Sequence, residues 1–511
     1  MVPAESEVSI PTVREFYENA VVFITGGTGF VGKVLVEKLL RTYQVKSIYL
    51  LIREKDNMNA EERLEKYLTE SIFDDIRKHS PEKFNKVFPI SADFSAIELG
   101  ISKTDRALLN DEVQIVFNVV ASVKFNEKLS DAIAINVLGT KKILDLAMEM
   151  KRLKAFLHIS TLYSNCNRKT IGETIYEPEI GYEKIIQLYK ILDADELEKL
   201  CHCLVGELPN TYTMTKRCSE NLVNQQAYAI PAGIFRPPIV LSTYKEPFPG
   251  WTDNLYGPSG ICASVARGFV HSIYGNGHKK ANLVPVDFCV NAMIASAWDV
   301  SIRRTNQKEG TDIPVYNYIF DTNNLTWGSY MHLSRQGFHE PFDKALWCFS
   351  YVIVPYKWLH RLTAFLLHEV PGYLLDLMAM ASGRKRIYSQ GYKKMAKILE
   401  MMSYFGLREW SFSNKNIAEL DAKLNNKDRS DLEFNLTKVD WREYFSTYMS
   451  GIRKYFFKDH EERLAKRKRF YRSLWLFHTM LKTLFGTLGV VFISKIVFRL
   501  LSLTRLGRIT L

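Results

Sequence analysis

A chain of 511 residues exceeds what one hydrophobic core organises, so two or more structural units are expected. Hydrophobic residues make up 47% of it and aromatic ones 13%, which excludes a disordered chain. The net charge of +12 has the sign of a nucleic-acid binder, yet eleven Lys or Arg against two acidic residues, a balance of +9, fall from Glu461 onward among leucines and aromatics. An anionic membrane surface fits that tail, and nucleic acid is not an expected partner.

Residues before Tyr17 read as a polar lead-in without the apolar run of a signal peptide. Val21 to Ile24 is a short apolar run expected to form a buried strand. It enters Thr25-Gly26-Gly27-Thr28-Gly29-Phe30-Val31-Gly32, a glycine-rich turn that opens a helix running through Leu40. Gly26 suits the tight turn, Gly29 lets the backbone approach a pyrophosphate, and Gly32 allows close helix packing. The free N–H groups of the first helical turn would then face the phosphates.

Residues 47–52 form the expected second strand, ending at Arg53. A cation there suits the extra phosphate of NADPH, where an acidic residue would suit NADH. An exposed helix or two fills residues 54–83, a third strand spans 86–90, and Asp93 follows it. Residues 115–120 are the fourth strand and 131–150 a helix containing Asn136 and Gly139. The fifth strand, 155–159, carries His158, expected to pack without a proton partner, and delivers Ser160 and Thr161 to the carboxyl end of the sheet.

One or two helices at 180–200 should lie above that end, and a further helix starts at Thr211. Within it Tyr212 and Lys216 stand four apart, on one face. Glycine turn, strand ending in Ser-Thr, then Tyr and Lys: this order points to a reductase-type site. Further strands are expected at 232–235 and 314–320, and a helix at 288–300. The loop at 250–258, with Trp251, is a candidate wall of a substrate tunnel together with the helices at 180–200.

Two later stretches are unusually apolar. Residues 345–369 are interrupted by Lys357, His360 and Arg361, as in an amphipathic or buried helix pair. Residues 473–503 approach the length of a membrane span, but only 483–494 are free of charge. Lys466-Arg467-Lys468-Arg469 precede this stretch, and Lys495, Arg499, Arg505 and Arg508 follow or interrupt its far end. A hairpin or an interfacial helix would keep both basic flanks on the cytosolic side. Seven cysteines, at 166, 201, 203, 218, 262, 289 and 348, form no Cys-x-x-Cys pair and no ligand spacing with histidine, so reduced thiols and no metal site are expected.

These residues resemble the extended short-chain dehydrogenase/reductase superfamily and, within it, the eukaryotic fatty acyl-CoA reductases, the insect members above all. The resemblance rests on residues 25–32, His158-Ile159-Ser160-Thr161, the Tyr212–Lys216 pair, Gly250-Trp251-Thr252-Asp253-Asn254 and the segment from His368 to Asp376. It implies an α/β fold: a Rossmann-type reductase domain at 17–344, an apolar connecting segment at 345–367, a smaller mainly helical domain at 368–460, and a hydrophobic, basic attachment tail at 461–511.

It also implies reduction of long-chain acyl-CoA to primary alcohol with two NADPH, at the endoplasmic reticulum or the peroxisomal membrane. Tyr212, Lys216, Thr161 and Ser160 are the expected catalytic residues, with Thr161 preferred over Ser160. Cofactor contacts are expected from Thr25, Gly26, Gly27, Thr28, Gly29, Phe30, Val31, Gly32, Arg53, Lys216 and, at the adenine, Asp93. Lys216 is expected to lower the pKa of Tyr212. Asn118 and Val120 depart from the small alanines that relatives place beside the cofactor. A membrane-bound hydroxysteroid dehydrogenase and a non-catalytic NADPH-binding scaffold are the alternative readings.

Overall fold

The computed structural model describes residues 10–306, 313–320 and 324–506. Seven strands form one parallel sheet: β1 (Val21–Thr25), β2 (Ser47–Arg53), β3 (Val87–Ala92), β4 (Ile115–Asn118), β5 (Ala155–Ile159), β6 (Ala232–Arg236) and β7 (Val315–Asn317). Their order is β7-β6-β5-β4-β1-β2-β3, so the winding reverses between β1 and β4. Such a switch point opens a crevice at the carboxyl ends of the strands.

Continuous apolar runs, rather than alternation, mark strands covered on both faces, and all five residues of β1 are buried. One face, with Val22, Ile24, Leu50, Phe117 and Leu157, shares its core with the helices Phe30–Thr42 and Val286–Asn306. The other, with Val21, Phe23, Leu51, Val116 and Phe156, packs under the helix at 129–148 and under Thr211–Gln226. The helix at 129–148 contains a π turn at Ile133–Leu138, which contains Asn136.

The segment before β1 is a helix, Val13–Tyr17, not a polar lead-in. Thr12 and Glu15 form a capping box, and Val13, Phe16 and Tyr17 are buried. Tyr17 donates to the carbonyl of Ile294. The first nine residues, and with them most of the expected lead-in, lie outside the described residues.

Residues after 368 pack onto the sheet layer. Ile417, Leu420, Tyr444 and Tyr448 belong to the same apolar cluster as the helix Val286–Asn306. Ser411–Phe412 pairs in parallel with Thr170–Ile171. Gly250 and Gly451 meet so closely that a Cβ on Gly451 would lie 1.9 Å from the Gly250 carbonyl oxygen.

Residues 345–356 hold no helix; Val352–Val354 pairs with Ser272–Tyr274. The apolar helix starts later, spans Lys357–Ala381, and exposes Trp358, Phe365, Leu374 and Leu377. A second helix, Leu464–Leu506, is continuous, so the expected hairpin is not formed. At 43 residues it is about 64 Å long, roughly twice the hydrocarbon thickness of a bilayer. Its first turns hold the body of the protein: Tyr471 accepts from the Phe349 N–H, and Trp347 donates to His478. Both helices are long and apolar enough to cross a membrane. Arg508 lies outside the described residues.

Candidate active site

The site is built where β5 ends beneath the helix Thr211–Gln226. Asn210 caps that helix by accepting from the Thr213 N–H, which fixes its start and therefore the phase of every side chain on it. Tyr212, Lys216 and Glu220 stand at successive four-residue steps, one stripe down a single face. Each faces a different residue of the strand end. Lys216 donates to the carbonyl of Ile159 at 2.6 Å. Ser160 donates to Glu220 at 2.5 Å. The Thr161 hydroxyl accepts from the Tyr163 N–H at 3.3 Å and lies near enough to the Tyr212 hydroxyl to lower its pKa.

Ser160 and Thr161 therefore face different partners, as alternation along an extended chain requires. Ser160 is tied into a buried ion pair: Glu220 and Arg236, whose side chains are 1% and 0% exposed, are joined by two hydrogen bonds of 2.8 and 2.7 Å. Ser164 adds a further bond to Glu220. Arg236 also donates to the carbonyls of Gly172 and Thr174, so the pair holds the loop after β5 in place.

Burial pushes the Tyr212 hydroxyl up to about 12, partly offset by the nearby Thr161 hydroxyl. Burial lowers Lys216 to about 8, with Glu220 acting in the opposite direction. The expected lowering of the Tyr212 pKa by Lys216 is not what this arrangement gives, because the ammonium is engaged by the main chain of β5. A tyrosine of high pKa keeps its proton through neutral pH, which suits a proton donor.

Asn136 lies alongside. Its amide accepts from the Ser122 N–H and donates to Thr215. The π turn frees its carbonyl to accept from both Thr140 and Ser219. Asn118, which departs from alanine, is fully buried. It accepts from Thr25 at 2.7 Å and pairs with His158 Nδ1 at 3.0 Å. His158 thus has a proton partner after all, and burial holds it well below its usual range, in the neutral form.

The glycine turn has the shape a dinucleotide needs. Gly26 has φ +68°, and a Cβ there would lie 2.7 Å from the Val120 nitrogen. A Cβ on Gly32 would lie 2.3 Å from the Gly26 carbonyl oxygen, so Gly32 closes the turn on itself more than it packs the helix on the sheet. Gly29 is exposed and is the N-cap of the helix Phe30–Thr42 with no side-chain cap, leaving the helix N–H groups open to an anion. Thr28, Phe30 and Val31 are half-buried around that end, while Gly27 is buried against Leu50.

Arg53 is exposed at the end of β2, and Arg63 donates to its carbonyl, placing a second cation beside the first. Asp93, at the end of β3, is exposed; its Oδ1 accepts from the Ser95 N–H and hydroxyl in a local turn. These residues fit NADPH: an open helix end for the pyrophosphate and paired arginines for the additional phosphate.

Trp251 does not line a tunnel. It is 2% exposed, stacked on Phe30 at 5.7 Å, and donates to Ser71. Its neighbour Asp253 pairs with Lys33 at 2.9 Å, so this loop braces the cofactor helix. The rings packed around Tyr212 come from elsewhere, Phe405 from further along the chain and Phe125 and Tyr163 from before Trp251. Tyr212 meets Phe125 at 6.0 Å, Phe125 meets Phe405 at 5.7 Å, and Phe405 meets Tyr163 at 5.0 Å. Two helices, Tyr182–Ile191 and Ala194–Val205, form in the stretch expected to hold them and pack beside the helix Thr211–Gln226.

All seven cysteines are unpaired. Burial pushes the thiols of Cys166 and Cys218, those nearest the site in sequence, up to about 12, so neither supplies a thiolate at neutral pH.

Comparison with known proteins agrees in extent with this architecture. Two family descriptions, both "Male sterility protein", match residues 24–293 and 367–459. The chain is 38% identical over 468 residues to "Fatty acyl-CoA reductase wat" of Drosophila melanogaster, covering 91% of this chain and 90% of that protein. It is 34% identical over 451 residues to "Fatty acyl-CoA reductase 1" of Homo sapiens, covering 88% and 86%. Among solved structures, the terminal R domain of the myxalamid PKS-NRPS pathway shares the fold, with a TM-score of 0.55 at 18% identity over 85% of this chain and 90% of that one.

Proposed function

The chain belongs to the fatty acyl-CoA reductase family of the extended short-chain reductases, and from that premise we propose how its site works. The protein is an NADPH-dependent enzyme that reduces acyl-CoA toward fatty alcohol. The observation that carries the assignment of the site is the helix face of Tyr212, Lys216 and Glu220 set against Ile159, Ser160 and Thr161 at the carboxyl end of β5.

NADPH, when bound, supplies hydride for each of two successive reductions. Residues 25–32 would hold its pyrophosphate and Arg53, with Arg63, its additional phosphate; Asp93, with one oxygen already committed to its own turn, would contact the adenine. Tyr212 and Thr161 donate hydrogen bonds to the thioester oxygen, where negative charge develops. Tyr212 delivers its proton there, and CoA leaves from the resulting hemithioacetal. The same two hydroxyls then receive the aldehyde oxygen for the second reduction. Lys216, released from Ile159, holds the nicotinamide ribose and stabilises the phenolate left on Tyr212. Ser160 positions Thr161 by anchoring the strand end to Glu220. Phe125 and Phe405 exclude water on the substrate side.

The protein is membrane-anchored through its apolar helices. Its catalytic domain faces the cytosol at the endoplasmic reticulum, with the peroxisomal membrane as the alternative; the basic flank Lys466–Arg469 supports the cytosolic orientation. Long acyl chains are the substrates, delivered from and returned to the bilayer. Turnover of acyl-CoA by membrane-bound protein, with NADPH loss, free CoA and lipid product measured together beside Tyr212→Phe, tests this reading.

A further inference from the structure

An open cleft of about 710 Å³ lies beyond the carboxyl ends of β5 and β7, on the half of the sheet away from the glycine turn. That volume suits a nucleotide-sized ligand. Arg168, Lys169, Lys279, Lys280 and Arg408 line it, against a single acid, Glu409. Lys279 pairs with Glu409 at 3.3 Å. The other four cations have no carboxylate partner among the described residues; Arg168 lies over the Tyr176 ring and Arg408 over the Tyr404 ring. Five positive charges against one leave an excess of four in one concave surface.

The mechanism above uses none of these residues, and the cofactor does not need them. Arg53 and Arg63 stand at the end of β2, on the opposite half of the sheet. A continuous chain of aromatic rings joins the cleft to the catalytic tyrosine. Trp410, part of its wall, contacts Tyr163 at 5.4 Å, and Tyr163 leads through Phe405 and Phe125 to Tyr212. Trp410 and Tyr404 both donate to the carbonyl of Cys166, five residues after Thr161, so the cleft wall and the catalytic strand end are fastened together.

We propose that this cleft binds the phosphorylated nucleotide end of CoA. The inference rests on the acyl-CoA reading above, because a CoA thioester must present phosphates to the protein while its carbonyl reaches Tyr212. A phosphomonoester carries about −1.5 to −2 charges at neutral pH, and the pyrophosphate adds to it, which matches the unpaired cations. Tyr404, half-buried in the lining, gives the adenine a ring to pack on. The flexible pantetheine arm passes along the chain of aromatic rings to bring the thioester to Tyr212 and Thr161. Cofactor and substrate phosphates then occupy opposite halves of the sheet, with the hydride transfer between them.

The test uses the full chain in detergent, as wild type and as Lys169→Ala, Lys280→Ala and Arg408→Ala combined. KM is measured for hexadecanoyl-CoA and for hexadecanoyl-pantetheine, which lacks the nucleotide, and calorimetry follows the binding of free CoA and of 3′-dephospho-CoA. NADPH fluorescence reports whether the variant is folded. Wild type should favour the CoA thioester by about tenfold or more, as expected for charge-assisted phosphate contacts. In the variant that ratio should fall toward one and CoA affinity should drop by a similar factor, with NADPH still bound. A folded variant that keeps both the ratio and the CoA affinity overturns the cleft assignment. A wild type that binds CoA through these cations yet reduces no acyl-CoA supports the cleft and contradicts the reaction. Acyl-CoA reduction with CoA affinity indifferent to the three changes refutes the cleft alone.

Discussion

Ser160 donates its hydroxyl proton to Glu220, while the next residue, Thr161, lies beside Tyr212; Lys216, between those two helix residues, takes the carbonyl of Ile159. One helix face thus clamps three consecutive residues at the end of β5. Two adjacent hydroxyls are thereby assigned different work. Thr161→Val should lower kcat by about 10²-fold or more, in line with loss of an oxyanion donor. Ser160→Ala should retain most of the turnover. Glu220→Gln leaves Arg236 buried with its charge uncompensated and should cost about 3–5 kcal/mol of stability. Steady-state kinetics and thermal unfolding of the solubilised protein measure these outcomes. A Ser160→Ala loss as deep as that of Thr161→Val would reverse the assignment.

In the proposed site Arg53 and Arg63 are the cations offered to the additional phosphate of NADPH. Arg53→Ala should raise KM for NADPH by about tenfold, the scale of a lost charge-assisted bond, and leave KM for NADH nearly unchanged. Arg63→Ala should raise KM for NADPH by less, again leaving KM for NADH nearly unchanged. Parallel titrations with the two cofactors decide the point; equal effects on both would show that the arginines do not read the extra phosphate.

Burial lowers Lys216 to about 8 from an ordinary value of about 10.5. Because the folded pKa is the lower one, the cost of the buried ammonium is fully present below pH 8. Its contribution to stability therefore rises between about pH 8 and 10.5. Activity should move the other way, since the ammonium is the working form. We expect kcat/KM for NADPH to fall as pH rises through about 8. Lys216→Arg, which stays charged, should lose that limb while working more slowly. Tyr212, near 12, contributes no limb in this range.

Two helices, not one, are long and apolar enough to cross a membrane. Truncation after Arg472 should leave much of the protein on membranes, held by Trp358, Phe365, Leu374 and Leu377. Changing Phe365, Leu374 and Leu377 to Glu in the truncated chain should release it. Fractionation in high salt reads both; complete release by truncation alone would assign the whole contact to the final helix.

The sheet, the glycine turn and the Tyr212–Lys216 face were legible because each is a local pattern: an apolar run, a glycine spacing, a four-residue step. Glu220 continues that step by one more turn and could have been read with it, had Arg236 been recognised as a buried partner. The role of Trp251 was not legible, because an aromatic in a glycine-rich loop looks the same whether it lines a tunnel or stacks on Phe30. Phe405 and Trp410 reach the site from more than 190 residues beyond Tyr212, a placement set by tertiary packing. The final helix was harder to read because Lys482 and Lys495 interrupt its apolar run without breaking its backbone.

The most direct measurement is the stoichiometry of turnover by membrane-bound protein given NADPH and long-chain acyl-CoA. Two NADPH consumed per CoA released, with primary alcohol as the lipid product and almost no turnover by Tyr212→Phe, is the predicted result. NADPH binding without release of CoA at any chain length, or undiminished turnover in Tyr212→Phe, would contradict it.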